Sequence, residues 1–282
     1  MTRKQTTELL QKVLLYAAVI VIAVYALFPF YWAFATSFKT ENEMFESATY
    51  VPREPTLQNY EYVFRDDTFL VALRNSAFVS GLTSVLALIA GSFAAYALGR
   101  LRFRGRVVML YVVLSMTMFP AISILSGLYT IVRDFGFFGT PLSLIATYPV
   151  FTLPFTVWVL TSFFRGLPAE IEQAAIVDGA TPFQRFRLIL LPLTAPALVT
   201  TGLLAFVLSW NEYLFALNFT ATNPSAQTVP VVIAQFSGQF SEQEPIAEIM
   251  AAAMIVTIPL VVLVLIFQNR IVEGLTAGAV KG

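Results

Sequence analysis

The sequence has no cysteine and no histidine, and only 12% of its 282 residues are charged. Without cysteine there is no disulfide, no thiol chemistry and no Cys-ligated zinc. Without histidine there is no imidazole base, no His–metal centre and no imidazole pH switch. Soluble domains carry about 25% charged residues, so half that share excludes an ordinary soluble globular protein. Bases and acids number 17 each, so the basic excess of a nucleic-acid binder is missing too. No G-x-x-x-x-G-K-[S/T] segment occurs, which removes the usual cradle for ATP phosphates. Internal repeats and low-complexity segments are absent as well.

What the sequence has instead is long uncharged runs, at 13–38, 75–99, 107–132, 135–164, 188–211, 213–241 and 249–269. A membrane-spanning helix needs about 20 mostly apolar residues. The 213–241 run turns polar from Asn218 to Thr228 and reads as loop, and 135–164 opens with a loop from Gly136 to Pro141. Six spans result, at roughly 13–35, 75–99, 107–130, 142–163, 192–215 and 247–269. The expected fold is all-α and integral to the membrane. The first run is too long for the 7–15-residue apolar region of a signal peptide and reads as an uncleaved anchor. Pro120, Pro149, Pro154 and Pro259 lie inside spans and predict kinks or cavities.

Lys and Arg placement sets the expected orientation. Six spans put both termini on one side. That side holds twelve bases, among them Arg100, Arg102, Arg104 and Arg106 in one short loop free of acids; the other side holds five, Lys39, Arg53, Arg65, Arg74 and Arg133. Both termini are therefore expected in the cytoplasm. In this reading 1–12 is a cytoplasmic N-terminus and 13–282 one transmembrane domain. Within it lie outer loops at about 36–74 and 216–246, an inner loop at about 165–191 and an inner tail at 270–282. The first outer segment is acidic and large enough for short helices. The second carries Ser237, Gly238, Gln239, Glu242 and Glu244, with no base. Glu212 is the one acid within a span, placed about 30 Å along its helix and so near the outer interface. An interface or helix-partner contact is the expected role there.

The inner loop before span five is punctuated like a pair of helices. Pro168 suits a first helical position, with Glu170 and Glu172 in the first turns where the dipole favours anions. Ile171, Ala174, Ala175 and Asp178 share one face, and Gly179 is placed to end the helix. Thr181, Pro182 and Gln184 form a capping-box start for a second helix, which carries Phe183 and Phe186 at i, i+3. A short helix unable to bury this surface alone either docks into a partner or packs as a connector on its own helix ends. The residues leave both readings open.

Ala174-Ala175, three residues, Gly179, nine residues, Ile189, one residue and Leu191-Pro192 resemble the EAA loop of ABC importer permeases. The family's motif Glu falls on Gln173, with Glu172 beside it. Pro55-Thr56-Leu57-Gln58-Asn59-Tyr60 resembles the P-T-L-x-N-Y segment of carbohydrate permeases, as do Trp210-Asn211-Glu212-Tyr213 and Thr228-Val229-Pro230. The stretch from Gly274 to Gly282 resembles the end of MalG-like subunits of maltose-type importers.

The resemblance implies a six-span type I importer permease in a bacterial or archaeal cytoplasmic membrane. It implies a MalF-like second permease, two MalK-like ATPases and an extracytoplasmic binding protein that delivers a sugar. The subunit itself would be no enzyme and would bind no cofactor, because ATP and Mg would sit on the ATPases. Glu172, Gln173, Ala174, Ala175, Asp178, Gly179, Pro182 and Phe183 are the implied coupling residues, and Gly278, Lys281 and Gly282 the implied tail contact. Candidates for the translocation path are Met116, Phe119, Tyr148, Trp210, Asn211 and Tyr213. The sugar is narrowed only to a di- or oligosaccharide such as maltose or trehalose. A permease for an amino acid or peptide would keep the loop but not the terminal segment. An ion-coupled transporter would want ionisable groups at mid-membrane, and a membrane enzyme a cluster of His, Asp or Glu at one face; neither pattern is present.

Overall fold

In a computed structural model the described residues are 3–46, 49–236 and 245–279. Among them there is no strand. The chain divides into two compact units. One comprises residues 1–66 and 236–257, the other 67–235 and 258–282.

The first unit opens with helix α1 (Arg3–Ser37), followed by the short α2 (Glu41–Glu46) and α3 (Gln58–Arg65). From residue 10 to 31 every α1 side chain is exposed. A helix that is apolar all round suits hydrocarbon rather than water. Its end is tied off by the Pro55–Tyr60 motif. The Asn59 amide donates to the Ser37 and Lys39 carbonyls, both at 2.9 Å. The Tyr60 hydroxyl lies 2.7 Å from Ser37 Oγ, and the Thr56 amide donates to the Phe38 carbonyl at 2.9 Å. Carbonyls that a helix end leaves unpaired thus find side-chain and loop partners. Lys39 donates to the Thr49 carbonyl and sits over the Trp32 ring.

The second unit is built on α4 (Asp67–Arg100). Asp67 in its first turn and Arg100 in its last complement the helix dipole. Ala72, Ser76, Ser80, Thr83, Ala87, Gly91 and Ala95 are buried along one stripe. Such small residues let neighbouring helices approach closely. A Cβ on Gly91 would lie 2.5 Å from Thr156 Cγ2, so only glycine fits that contact. The hydroxyls of Ser84 and Ser92 return to carbonyls four residues earlier and add no unpaired donor to the membrane interior.

The third expected span is not one straight helix. It is two, α5 (Arg106–Met116) and α6 (Ala121–Asp134), bent by 95° at Thr117–Pro120. At 1.5 Å per residue they run about 16 and 21 Å, so neither alone crosses a core of about 30 Å. Pro120 has no N–H to continue the ladder. Its ring sets the break that the sequence placed there, though a right-angle bend exceeds the expected kink. After α7 (Pro141–Thr147), α8 (Pro149–Gly166) starts at Pro149 and passes through Pro154 unbroken.

Then come α9 (Ala169–Val177), α10 (Pro182–Gln184), a π-helix over Arg185–Leu190, α11 (Leu191–Leu193) and α12 (Ala195–Trp210). The stretch Pro182–Leu193 meets α12 at 77°. Pro192 and Pro196 each remove an N–H on either side of Thr194, which accounts for the bend. The polar run expected to be loop instead holds α13 (Leu214–Thr220), a 3₁₀ turn at Pro224–Ala226 and α14 (Val229–Ala234). Asn75 explains the order there: its amide donates to the Ser225 and Gln227 carbonyls at 2.8 and 3.0 Å. Finally α15 (Ile246–Ala279) contributes to both units and passes Pro259 without a break in the helix. Among the described residues four helical segments are long and apolar enough to cross a membrane, and up to six if each bent pair is one span.

Candidate coupling site

The loop between α8 and α12 is structured throughout. Pro168 precedes α9 as its N-cap, and Gly179 closes α9 with φ at +80°. The Ala180 amide donates to the Ala175 carbonyl and the Gly179 amide to the Ile176 carbonyl, at 2.9 and 3.0 Å. That pair of bonds is the Schellman arrangement, which needs a left-handed residue at Gly179. The next helix starts with a complete capping box. The Gln184 amide donates to Thr181 Oγ1 at 3.3 Å, and the Thr181 amide to Gln184 Oε1 at 2.8 Å.

The two faces of this loop differ. Around Gly179 it presents apolar side chains to the outside: Ile176, Val177 at 87% exposure and Phe183 at 56%. Gln173, Ala174, Asp178, Gly179 and Pro182 are exposed beside them. On the other face Ala175 is buried and Glu172 is turned inward. Glu172 Oε2 accepts from Arg100 Nε at 2.9 Å, and Oε1 from an Arg185 guanidinium nitrogen at 3.1 Å. Phe186 is buried against Phe93 and Tyr96, ring centroids 4.9 and 5.2 Å away. The face read as Ile171, Ala174, Ala175 and Asp178 is therefore split, with only Ala175 buried. Phe183 and Phe186 are split likewise: the first is outward and the second is core.

The path candidates fall into two groups, Met116 and Phe119 at one place and the Tyr148 cluster with the 210–213 segment at another. Met116 and Phe119 line an open groove of about 620 Å³ with Ala90, Ala94, Val113, Ile124, Pro149, Val150, Leu153, Pro154 and Val157. Every one of these side chains is apolar. Tyr148 and Trp210 are buried elsewhere in the unit, and the Asn211 amide donates to the Val207 carbonyl at 2.8 Å. Tyr213 is half exposed. Glu212 has a definite structural task. Its carboxylate accepts from the Phe215 and Ala216 amides at 2.8 and 3.0 Å and starts α13.

Residues 87–276 match the family described as the binding-protein-dependent transport system inner membrane component. The chain belongs to this family. It is 45% identical to the trehalose transport system permease protein SugB of Mycobacterium tuberculosis over 92% of this chain and 93% of that one. It is 42% identical to the trehalose/maltose transport system permease protein MalG of Thermococcus litoralis, over 98% and 99%. A solved bacterial ABC transporter involved in import of the polysaccharide alginate superposes with a TM-score of 0.78 at 22% identity, covering 95% of this chain and 98% of that one. The fold is thus that of ABC importer permeases, and the protein is a multi-pass permease of the inner membrane.

For a permease of this family, the residues that sequence reasoning missed are those that brace the loop. From the sequence alone Arg100 reads only as part of a topology-setting cluster. Its position in the last turn of α4, where it can meet an acid in the next inner loop, was the available signal. Gly278 lies in the last turn of α15, so the stretch expected as an inner tail is helical as far as Ala279. Lys281 and Gly282 fall outside the described residues, as do Ser237, Gly238, Gln239, Glu242 and Glu244.

Proposed function

We propose that this chain is one of two permease subunits of an ATP-driven importer for a neutral di- or oligosaccharide of the trehalose or maltose kind. The observation that carries the reading is the 45% and 42% identity, over 92% and 98% of the chain, to permeases named for trehalose and for trehalose and maltose. The twelve-to-five division of bases supports a cytoplasmic placement of both termini and of the loop around Gly179. The lack of a phosphate loop in the sequence supports placing ATP and Mg on partner ATPases of the MalK kind. A MalF-like permease completes the path, and an external sugar-binding protein feeds it.

Within this reading Gln173, Ala174, Asp178, Pro182 and Phe183 form the surface that enters a groove on one ATPase. Val177 and Phe183 supply the apolar anchors of a helix-in-groove contact. Gly179 holds the turn between the two helices, and Ala175 sets how closely α9 sits on its own subunit. Gly278, Lys281 and Gly282 are the residues of the terminal segment assigned to contact with the ATPase pair. Met116 and Phe119 offer only apolar contact along the groove, whereas Asn211 and Tyr213 carry the polar groups a sugar requires. Alternating access is then a switch between two packings of the spans rather than a continuous deformation.

The test is reconstitution with the partner permease, the ATPases and the binding protein in liposomes, with uptake of labelled trehalose or maltose on ATP. Sugar uptake that requires ATP supports the reading. Uptake by this chain alone on a proton or sodium gradient would overturn it. Gly179→Asp is expected to insert normally and to uncouple uptake from ATP hydrolysis, because a side chain is strained at φ +80° and its charge is added to an exposed turn beside the apolar Val177 and Phe183.

A further inference from the structure

Glu172 sits one residue from the exposed surface of the coupling helix, yet both of its carboxylate oxygens are already taken. Arg100 Nε donates to one at 2.9 Å and Arg185 to the other at 3.1 Å. The three side chains retain only 9–15% of their surface. Arg100 is used on every side: its two terminal nitrogens donate to the Leu167 and Pro168 carbonyls at 3.1 and 3.2 Å. These are the carbonyls at the junction between α8 and α9, so the same guanidinium also holds the start of the coupling helix.

We propose that Glu172 is a positioning residue rather than a partner contact. With Arg100 and Arg185 it ties the coupling helix rigidly to the end of α4, so that movement of α9 is delivered to the transmembrane bundle. The tie joins three segments: the last turn of α4, the first turns of α9 and the start of the π-helix at Arg185. An aromatic layer lies beside it, with Phe186 against Phe93 and Tyr96, and the Tyr96 hydroxyl 3.4 Å from the Pro182 carbonyl. α4 is in turn fitted to α8 at Gly91 and to α12, where a Cβ on Gly202 would lie 2.8 Å from Leu88. A helix locked this closely on two sides cannot yield locally, so a push on α9 moves it as a body. Without the ionic tie the exposed face could still dock, but the loop would take up the displacement.

The proposal rests on the reading that an ATPase drives this subunit, and the experiment separates the two. The assembled transporter in proteoliposomes is compared as wild type, Glu172→Gln, Arg100→Gln and the double variant. Co-purification of the ATPase, ATP hydrolysis and sugar uptake are each measured. Each single variant is expected to keep the ATPase bound while uptake per ATP falls on the order of ten-fold. The double variant should be no worse than either single one, because both cut the same link. Loss of ATPase co-purification on Glu172→Gln alone would make Glu172 a partner contact and overturn the proposal. Additive losses, or unchanged uptake per ATP, would overturn it as well. Should Glu172→Gln fail to assemble, Arg185→Gln cuts one arm of the tie and reads the same quantities. A wild-type complex with no ATP-driven sugar uptake would instead refute the functional reading.

Discussion

α1 and α4 are nearly equal in length, 35 and 34 residues, and each is apolar enough to cross a bilayer. What separates them is side-chain volume. α1 is mostly Leu, Val, Ile, Tyr and Phe through residues 13–31, and leaves that whole surface outward. α4 sets Ala, Ser, Thr and Gly every three or four residues and buries them. Averaged over the whole helix, hydropathy scores the two alike, because it reports transfer into an apolar medium and not how near a neighbouring backbone can come. In lipid the second property decides packing, since tails are as apolar as leucine and burying an apolar side chain brings little by itself.

The sharpest way to break this contrast is to add the same carbons to both helices. Gly91→Val in α4 places a Cβ 2.5 Å from Thr156 Cγ2, far inside van der Waals contact. The Thr156 hydroxyl is held by the Thr152 carbonyl at 2.8 Å, so its methyl cannot swing away without losing a hydrogen bond. The cost should reach the top of the about 1–3 kcal/mol range for overpacking. Ala18→Val in α1 meets open surface and should change stability by less than about 0.5 kcal/mol. Thermal unfolding of both variants in detergent reads the difference, and equal losses would show that α4 packs more loosely than its stripe implies.

A smaller effect tests the C-terminal end of α1, where it is fastened. Asn59→Ala strips the donors from the Ser37 and Lys39 carbonyls while leaving the apolar length of α1 intact. An unsatisfied buried polar group costs about 1–3 kcal/mol, and water reaching the loop would relieve part of that. Faster limited proteolysis after residue 49, with α1 still inserted, is the expected result. Unchanged cleavage would mean that the Thr56 amide and Tyr60 hydroxyl suffice.

The features legible in the sequence are those fixed by neighbours along the chain. The apolar runs, the Schellman glycine at 179 and the capping box at Thr181 each depend on residues within a few positions. The last two are found as expected, and of the six runs four are found as spanning helices and two as bent pairs among the described residues. Bend angles are not local. Pro120 announces a break, but 95° also depends on what α5 and α6 pack against. The π-helix at Arg185–Leu190 left no signal that composition could show. Glu172 looked like a partner-facing acid because its ligand, Arg100, is 72 residues away. Glu212 was placed by counting along a straight helix, whereas the chain turns at Asn211 and its carboxylate caps α13.

The weakest expected effect separates the acid that braces the first unit from the exposed acids around it. Glu43 accepts the Thr49 hydroxyl at 2.7 Å and the Arg53 amide at 3.0 Å. The Thr49 hydrogen bond holds its carboxyl below the usual range; burial pushes the other way, and the Arg53 amide and Lys39 add to the lowering. A carboxylate whose folded value is depressed stabilises the fold above its unfolded value of about 4.3. That contribution is lost as pH falls through the lower folded value. Resistance of the 49–56 segment to an acid-active protease should therefore hold at neutral pH and fade below about pH 4. Glu43→Gln should flatten that dependence, because an amide keeps an acceptor but does not titrate. A pH profile shared by Glu43→Gln and wild type would show that the Glu43 carboxylate is not the source of the acid sensitivity. Glu43 would then serve α2 and Thr49 by shape alone.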